Sequence, residues 1–160
     1  MIRVGLFGAT GVGKSKWLAS HIECVPTTPT LGIDIYSHRF DHHTMLWFDT
    51  SGREEYDFNV LQELSNVDAA IFMYDVSSRN TFAEALVWMT RFLSKGAKPC
   101  ALIGFPNEHR VIGNADVNLA TVPWVRQGVH IWFDEVEKDT FRNVLRFFIK
   151  STPSCENTLY

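Results

Sequence analysis

The stretch Gly8-Ala9-Thr10-Gly11-Val12-Gly13-Lys14-Ser15 decides how the rest of the chain is read. It fits G-x-x-x-x-G-K-[ST], a spacing with a mechanism behind it. Glycines remove the Cβ atoms that would keep backbone N–H groups from converging on a polyphosphate. A helix starting at Lys14 adds its positive end. The Lys14 ammonium is then expected on the β- and γ-phosphates, and the Ser15 hydroxyl on Mg²⁺. Thr10, Val12 and Lys16 join Gly8, Gly11 and Gly13 as expected nucleotide contacts. The plain alternative is a glycine-rich turn carrying a solvated lysine. It leaves the flanks unexplained: Ile2 to Phe7 is a strand-length apolar run, and Lys14 to His21 places Trp17 and Leu18 on one helical face.

Further out, Ile33 to Phe40 and Thr44 to Asp49 flank Asp41-His42-His43, the pattern of a hairpin. Asp49-Thr50-Ser51-Gly52 follows the second of these strands. A carboxylate there suits Mg²⁺, and the Gly52 N–H suits a γ-phosphate. Asp and Gly are common turn residues, so the signal comes from its place one strand pair after a phosphate loop. Ala69 to Tyr74, Cys100 to Phe105 and Val129 to Phe133 are further strands, Thr81 to Leu93 carries a helical apolar stripe, and Phe141, Val144, Leu145 and Phe148 line one face of a terminal helix. Continuous apolar strands alternating with helices predict a mostly parallel sheet covered on both faces. Ligands in such sheets bind beyond the carboxyl ends of the strands, where the glycine loop, Asp49, Asp75 and residues 104–108 fall. His38, His42 and His43 lack the fourth ligand of a closed zinc site and are expected to be a solvated turn.

The 160 residues make one domain, expected over 1–150 with a short tail over 151–160. A net charge of -3 argues against a nucleic-acid polymer or an anionic membrane as partner. Cys24, Cys100 and Cys155 are far apart, as expected of reduced thiols in an intracellular, cytoplasmic protein. No run of eighteen apolar residues predicts a membrane span. Cys155 is neither in a C-a-a-X box nor paired, so peripheral membrane attachment would need a lipidated tail that this sequence does not contain. A monomer is expected.

Taken together, these motifs resemble the Ras superfamily of small GTPases, and within it the Rab branch. Thr30-Leu31-Gly32-Ile33-Asp34 is similar to the end of Rab switch I, Leu46 to Glu54 to the Rab stretch ending W-D-T-A-G-Q-E, and Tyr74-Asp75-Val76-Ser77 with Thr81, Phe82 and Trp88 to the Rab run Y-D-I-T…S-F…W. The resemblance implies an α/β P-loop NTPase fold, the G domain. That is a three-layer sandwich around a six-stranded, mostly parallel sheet with one antiparallel edge strand, and it has five helices. It implies GTP or GDP with Mg²⁺ as cofactors, held by Ser15, Thr30 and Asp49 at the metal. Lys14, Gly52 and the residue at position 53 would be the catalytic set. Effectors or regulators would meet residues 30–35, Phe48 and 52–66, in vesicle trafficking or signalling.

The departures from that pattern carry information. The guanine-reading N-K-x-D appears as Phe105-Pro106-Asn107-Glu108, where Glu108 stands for the Asp and the segment is otherwise a turn. The S-A-K element appears as Glu135-Val136-Glu137, where the Val136 backbone is the expected donor to the base. Switch I is shorter by about three residues, and no aromatic between Trp17 and Tyr36 covers the base; His21 is the nearest substitute. Arg53 takes the place of the water-orienting glutamine. Arginine has donors and no acceptor, so hydrolysis should be slow unless Arg53 turns onto the γ-phosphate as an arginine finger in cis. The effector triad reads Ile35, Phe48 and Glu63. Two readings stay open: a GTP-binding switch that is at most a slow GTP hydrolase, and a pseudo-GTPase interaction module with weak or unselective nucleotide binding. A P-loop kinase of small substrates is a third, against which the absence of an arginine-rich lid counts.

Overall fold

The computed structural model describes residues 1–23, 28–30, 32–50 and 57–153. Strand β1 (Ile2–Gly8) leads through the glycine loop into α1 (Lys14–Ala19). Then come β2 (Thr28–Thr30), β3 (Ile33–Phe40), β4 (His43–Thr50), α2 (Asp57–Glu63), β5 (Ala69–Asp75) and α3 (Arg79–Leu93), followed by β6 (Cys100–Phe105), α4 (Asn114–Arg126), β7 (Ile131–Glu135) and α5 (Thr140–Ser151). The sheet order is β2-β3-β4-β1-β5-β6-β7. Strands β4, β1, β5, β6 and β7 run parallel, β3 is antiparallel to β4, and β2 is antiparallel to β3.

The expected three-layer G-domain fold is therefore present. The six expected strands are all there, and the three-residue β2 extends the edge beyond β3. The last strand lies two residues further on than its apolar run suggested, at Ile131–Glu135. Helix α4 gave no clear stripe in sequence: Leu119 and Val125 point into solvent, Pro123 sits inside the helix, and Val117 and Thr121 are its buried residues.

Alternation along the strands feeds two cores. Phe7, Phe72, Tyr74 and Leu102 face α2, α3 and α4, where they meet Val60, Phe82, Trp88 and Val117. Val4, Leu6, Ile71, Met73 and Ile103 face α1 and α5, where they meet Trp17, Leu18, Phe141 and Phe148. Phe48, expected at an effector surface, is 6% exposed and belongs to the first core. Ile35 and Glu63 are half-buried. The hairpin turn closes at Asp41, with φ 51°, and His42. No group of three metal-ligating side chains forms among the described residues. Nor is any helix there long and apolar enough to cross a membrane. Burial pushes the Cys100 thiol up to about 12, so it is a core atom and not a nucleophile.

Gly8 fixes how the loop leaves the sheet. It pairs with Met73, has φ +146°, and a Cβ there would lie 2.4 Å from the Met73 carbonyl oxygen. Gly8→Ala is expected to cost about 3 kcal/mol or more, through strain at a glycine-only conformation and a backbone clash, read as a lower urea midpoint.

Candidate functional site

The glycine loop turns at the top of β1 through three positive φ values, at Gly8, Gly11 and Gly13. It brings Lys14 back over itself. The Lys14 ammonium is 4% exposed and donates to the carbonyls of Gly8 at 2.7 Å and Ala9 at 2.8 Å. Burial lowers its pKa from 10.5 to about 8, against the opposing pull of Asp49 and Glu84. Thr10, Gly11, Ser15 and Lys16 are exposed around the loop.

Asp49 is the last residue but one of its strand and lies beside the loop. Its register partners are Leu6 on β1 and Asp34 on β3, and Thr50 next to it donates to the Leu6 carbonyl at 2.7 Å. The Asp49 carboxyl is 3% exposed. Burial pushes its pKa up, while the hydrogen bond from the Ser15 hydroxyl and the nearby Lys14 charge act the other way. Its Oδ1 has no hydrogen-bond partner among the described residues. A buried carboxylate oxygen without a donor, beside a hydroxyl and next to an ammonium, suits an Mg²⁺-bound phosphate: hard oxygen ligands on one side and a cation on the other. Asp34, directly across the sheet, adds a second carboxylate at the same strand end. Sequence reasoning did not single it out, although its pairing with Asp49 follows once the hairpin register is set.

The other expected residues fall differently. Thr30 is in β2, but its side chain lies outside the described residues, as does all of 51–56, with Gly52 and Arg53. Much of the base end is built from residues that are already occupied. The Phe105 ring lies on the phosphate loop, its Cζ 3.4 Å from where a Gly13 Cβ would be. Asn107 Oδ1 accepts from the His109 N–H at 2.9 Å and closes a turn. Pro106 and Glu108 are exposed. Every N–H of the 135–137 segment is taken: Glu135 donates to Asp134 Oδ1, Val136 to the Gly104 carbonyl and Glu137 to Thr140 Oγ1. The Val136 N–H, expected to meet a base oxygen, is thus a sheet hydrogen bond of 2.8 Å. His21, the substitute for a base-covering aromatic, stacks on Phe141 at 4.3 Å and is packed against α5.

Lys14 gives a direct test of this geometry. An ammonium near pKa 8 is partly deprotonated at pH 8.5, and an anion beside it restores the proton. Triphosphate binding at pH 8.5 is expected to take up a fraction of a proton, and almost none at pH 6.5. Calorimetry in buffers of different ionisation enthalpy measures this. The same pKa sets the sign for the protein alone. The folded value lies below the unfolded one, so the penalty of burying charge is complete below pH 8 and fades toward pH 10.5. Stability of the ligand-free chain should rise across that window.

Comparison with known proteins is consistent with this arrangement. The Ras family model matches residues 3–153. The chain is 24% identical to Ras-related protein Rab-7B of Dictyostelium discoideum over 98% of its own length and 84% of that protein. It is 24% identical to human Ras-related protein Rab-22A over 93% of its length and 80% of that protein. It is 25% identical to human Ras-related protein Rab-44 over 91% of its length, but spans only 15% of that larger protein.

Proposed function

The chain belongs to the Ras family, and from that premise we propose that it is a Rab-like switch that holds GTP or GDP by the phosphates, with Mg²⁺, and hydrolyses GTP slowly. The observation that carries this reading is the set Lys14, Ser15 and Asp49 at one strand end, with a buried ammonium, a hydroxyl and a carboxylate oxygen still open to a partner. Lys14 would exchange its two carbonyl partners for phosphate oxygens. Ser15 and Asp49, with Thr30, would hold the metal. Bound Mg²⁺ neutralises phosphate charge there. Arg53 in the glutamine place supports slow hydrolysis, because a guanidinium cannot accept a proton from water. Effectors would approach residues 30–35 and 52–66, and the Rab likeness supports a role in vesicle trafficking on the cytoplasmic side of membranes.

A second reading, an interaction module that binds nucleotide without selecting guanine, is favoured by the base end. Guanine selectivity rests on charge-assisted bonds to its edge. Phe105 and Pro106 offer none, and the backbone donors of 135–137 are engaged elsewhere. Stacking on an aromatic ring accepts every base.

Competition against a fluorescent GTP analogue with Mg²⁺ separates the two. Selective switching requires unlabelled GTP to displace the probe at least about a hundredfold better than ATP, a difference of two or three good polar contacts. Equal competition establishes the unselective reading. Lys14→Ala is expected to lose binding by at least about a hundredfold in either case, since it removes the charge on the phosphates. If binding survives that substitution, the phosphate-loop reading is wrong.

A further inference from the structure

Strand β7 is an edge of the sheet, with β6 on one side and no strand on the other among the described residues. Its parallel register with β6 decides which backbone groups face outward. Cys100 donates to the His130 carbonyl, and Val136 donates to the Gly104 carbonyl. Alternate residues share a direction, so His130, Trp132, Asp134 and Val136 turn toward β6, and Ile131, Phe133 and Glu135 turn away. Glu135 is satisfied within its own chain: its N–H donates to Asp134 Oδ1 at 2.8 Å, and its carbonyl accepts from Thr140 Oγ1 at 2.9 Å. The outward N–H and C=O groups of Ile131 and Phe133 meet no partner among the described residues.

Edge strands are ordinarily blunted by lysine, proline or a covering segment. Ile131-Trp132-Phe133-Asp134-Glu135 contains neither lysine nor proline. It keeps apolar surface on both faces. Phe133 is 39% exposed on the face toward α4, where Ile131 is half-buried. Trp132 is half-buried on the other face against Phe147, with ring centroids 5.7 Å apart.

The order of these residues is its own complement. Turned end for end about Trp132, Ile131 falls opposite Phe133 and His130 falls opposite Asp134. Antiparallel pairing in that register joins the residues with open groups, so each open N–H meets an open carbonyl. Ile131 against Phe133 is a β-branched–aromatic pair, a kind that stabilises antiparallel strands. His130 is exposed and would face a carboxylate. Centring the pairing on Phe133 instead would set Ile131 opposite Glu135, whose backbone is already engaged.

We propose that β7 is a self-association edge: two copies of this chain pair antiparallel through residues 130–134 about a twofold axis at Trp132, extending the sheet across both molecules. An isologous contact of this kind closes on itself and stops at a dimer.

Sedimentation velocity of the whole chain from about 1 to 300 µM tests this, since so small a contact belongs in the micromolar range. A rise from one to two chain masses across the series is expected. At the highest concentration the Ile131 and Phe133 amides should exchange with deuterium more slowly than at the lowest, because pairing covers them. Phe133→Pro removes an outward N–H and no bond to β6, and His130→Glu sets like charges against Asp134. Each should weaken association at least about tenfold. His130→Glu, at an exposed position, carries the test if Phe133→Pro is misfolded by circular dichroism. A single chain mass at the highest concentration overturns the proposal. So does a dimer that the folded variants leave intact, or one in which the Ile131 and Phe133 amides stay unprotected, since the copies would then meet through another surface.

Discussion

A buried ammonium has to be surrounded by acceptors, and that requirement shapes the top of this sheet. Lys14 meets it with the carbonyls of Gly8 and Ala9, two residues of the loop that precedes it. Those carbonyls can turn inward only because the chain leaves β1 with positive φ at Gly8 and starts α1 with positive φ at Gly13. Gly8 in turn presses on the Met73 carbonyl, so the loop sits where the parallel pairing of β1 and β5 puts it. The carboxylate of Asp49 reaches the same point because β4 runs beside β1 and is pinned at its end by the Thr50 hydroxyl on the Leu6 carbonyl. Strand order, loop conformation and site charge are therefore one constraint seen at three scales.

The two halves of the site depend on different physics. The phosphate half works through charge and backbone dipoles, which tolerate many side chains around the loop provided the glycines stay. The base half depends on a few directed bonds, and each must be left open for a ligand. Phe105 fills space against Gly13, Asn107 closes its own turn, and the three N–H groups at the end of β7 and just beyond it are consumed by Asp134, Gly104 and Thr140. A segment that satisfies its own polar groups is more stable by itself and has less to offer a base.

This difference also explains what was legible in the sequence. A polyphosphate loop is a local device, so its spacing reveals it, and the parallel sheet follows from apolar runs of strand length. Val136 could not be judged that way. Whether its N–H is free depends on pairing with Gly104, thirty-odd residues earlier, and that register is a property of the sheet. Helix α4 was hidden because it buries little: Leu119 faces water, and the helix shields the sheet with Val117, Thr121 and partly Trp124. Asp34 was missed for a related reason. Alone it is an ordinary strand-end carboxylate, and only the hairpin register sets it across from Asp49. Phe48 misled because a family position says where a residue lies in the chain, while alternation along β4 decides which way it faces.

The end of β6 links the site to the free space on the α4 face. Successive side chains on a strand point to opposite faces. Phe105 therefore projects toward the phosphate loop and Gly104 toward α4. One neighbour is large and the other has no side chain. The large one occupies the loop side and packs on Gly13, and the missing one leaves room on the α4 side into which Tyr74 leans. The backbone between them is tied to both edges, with Val76 donating to the Phe105 carbonyl and Val136 to the Gly104 carbonyl. It cannot shift to even out the two faces without breaking sheet bonds. Close packing on the loop face and free space on the α4 face are thus two results of the same pair of residues on a rigid strand.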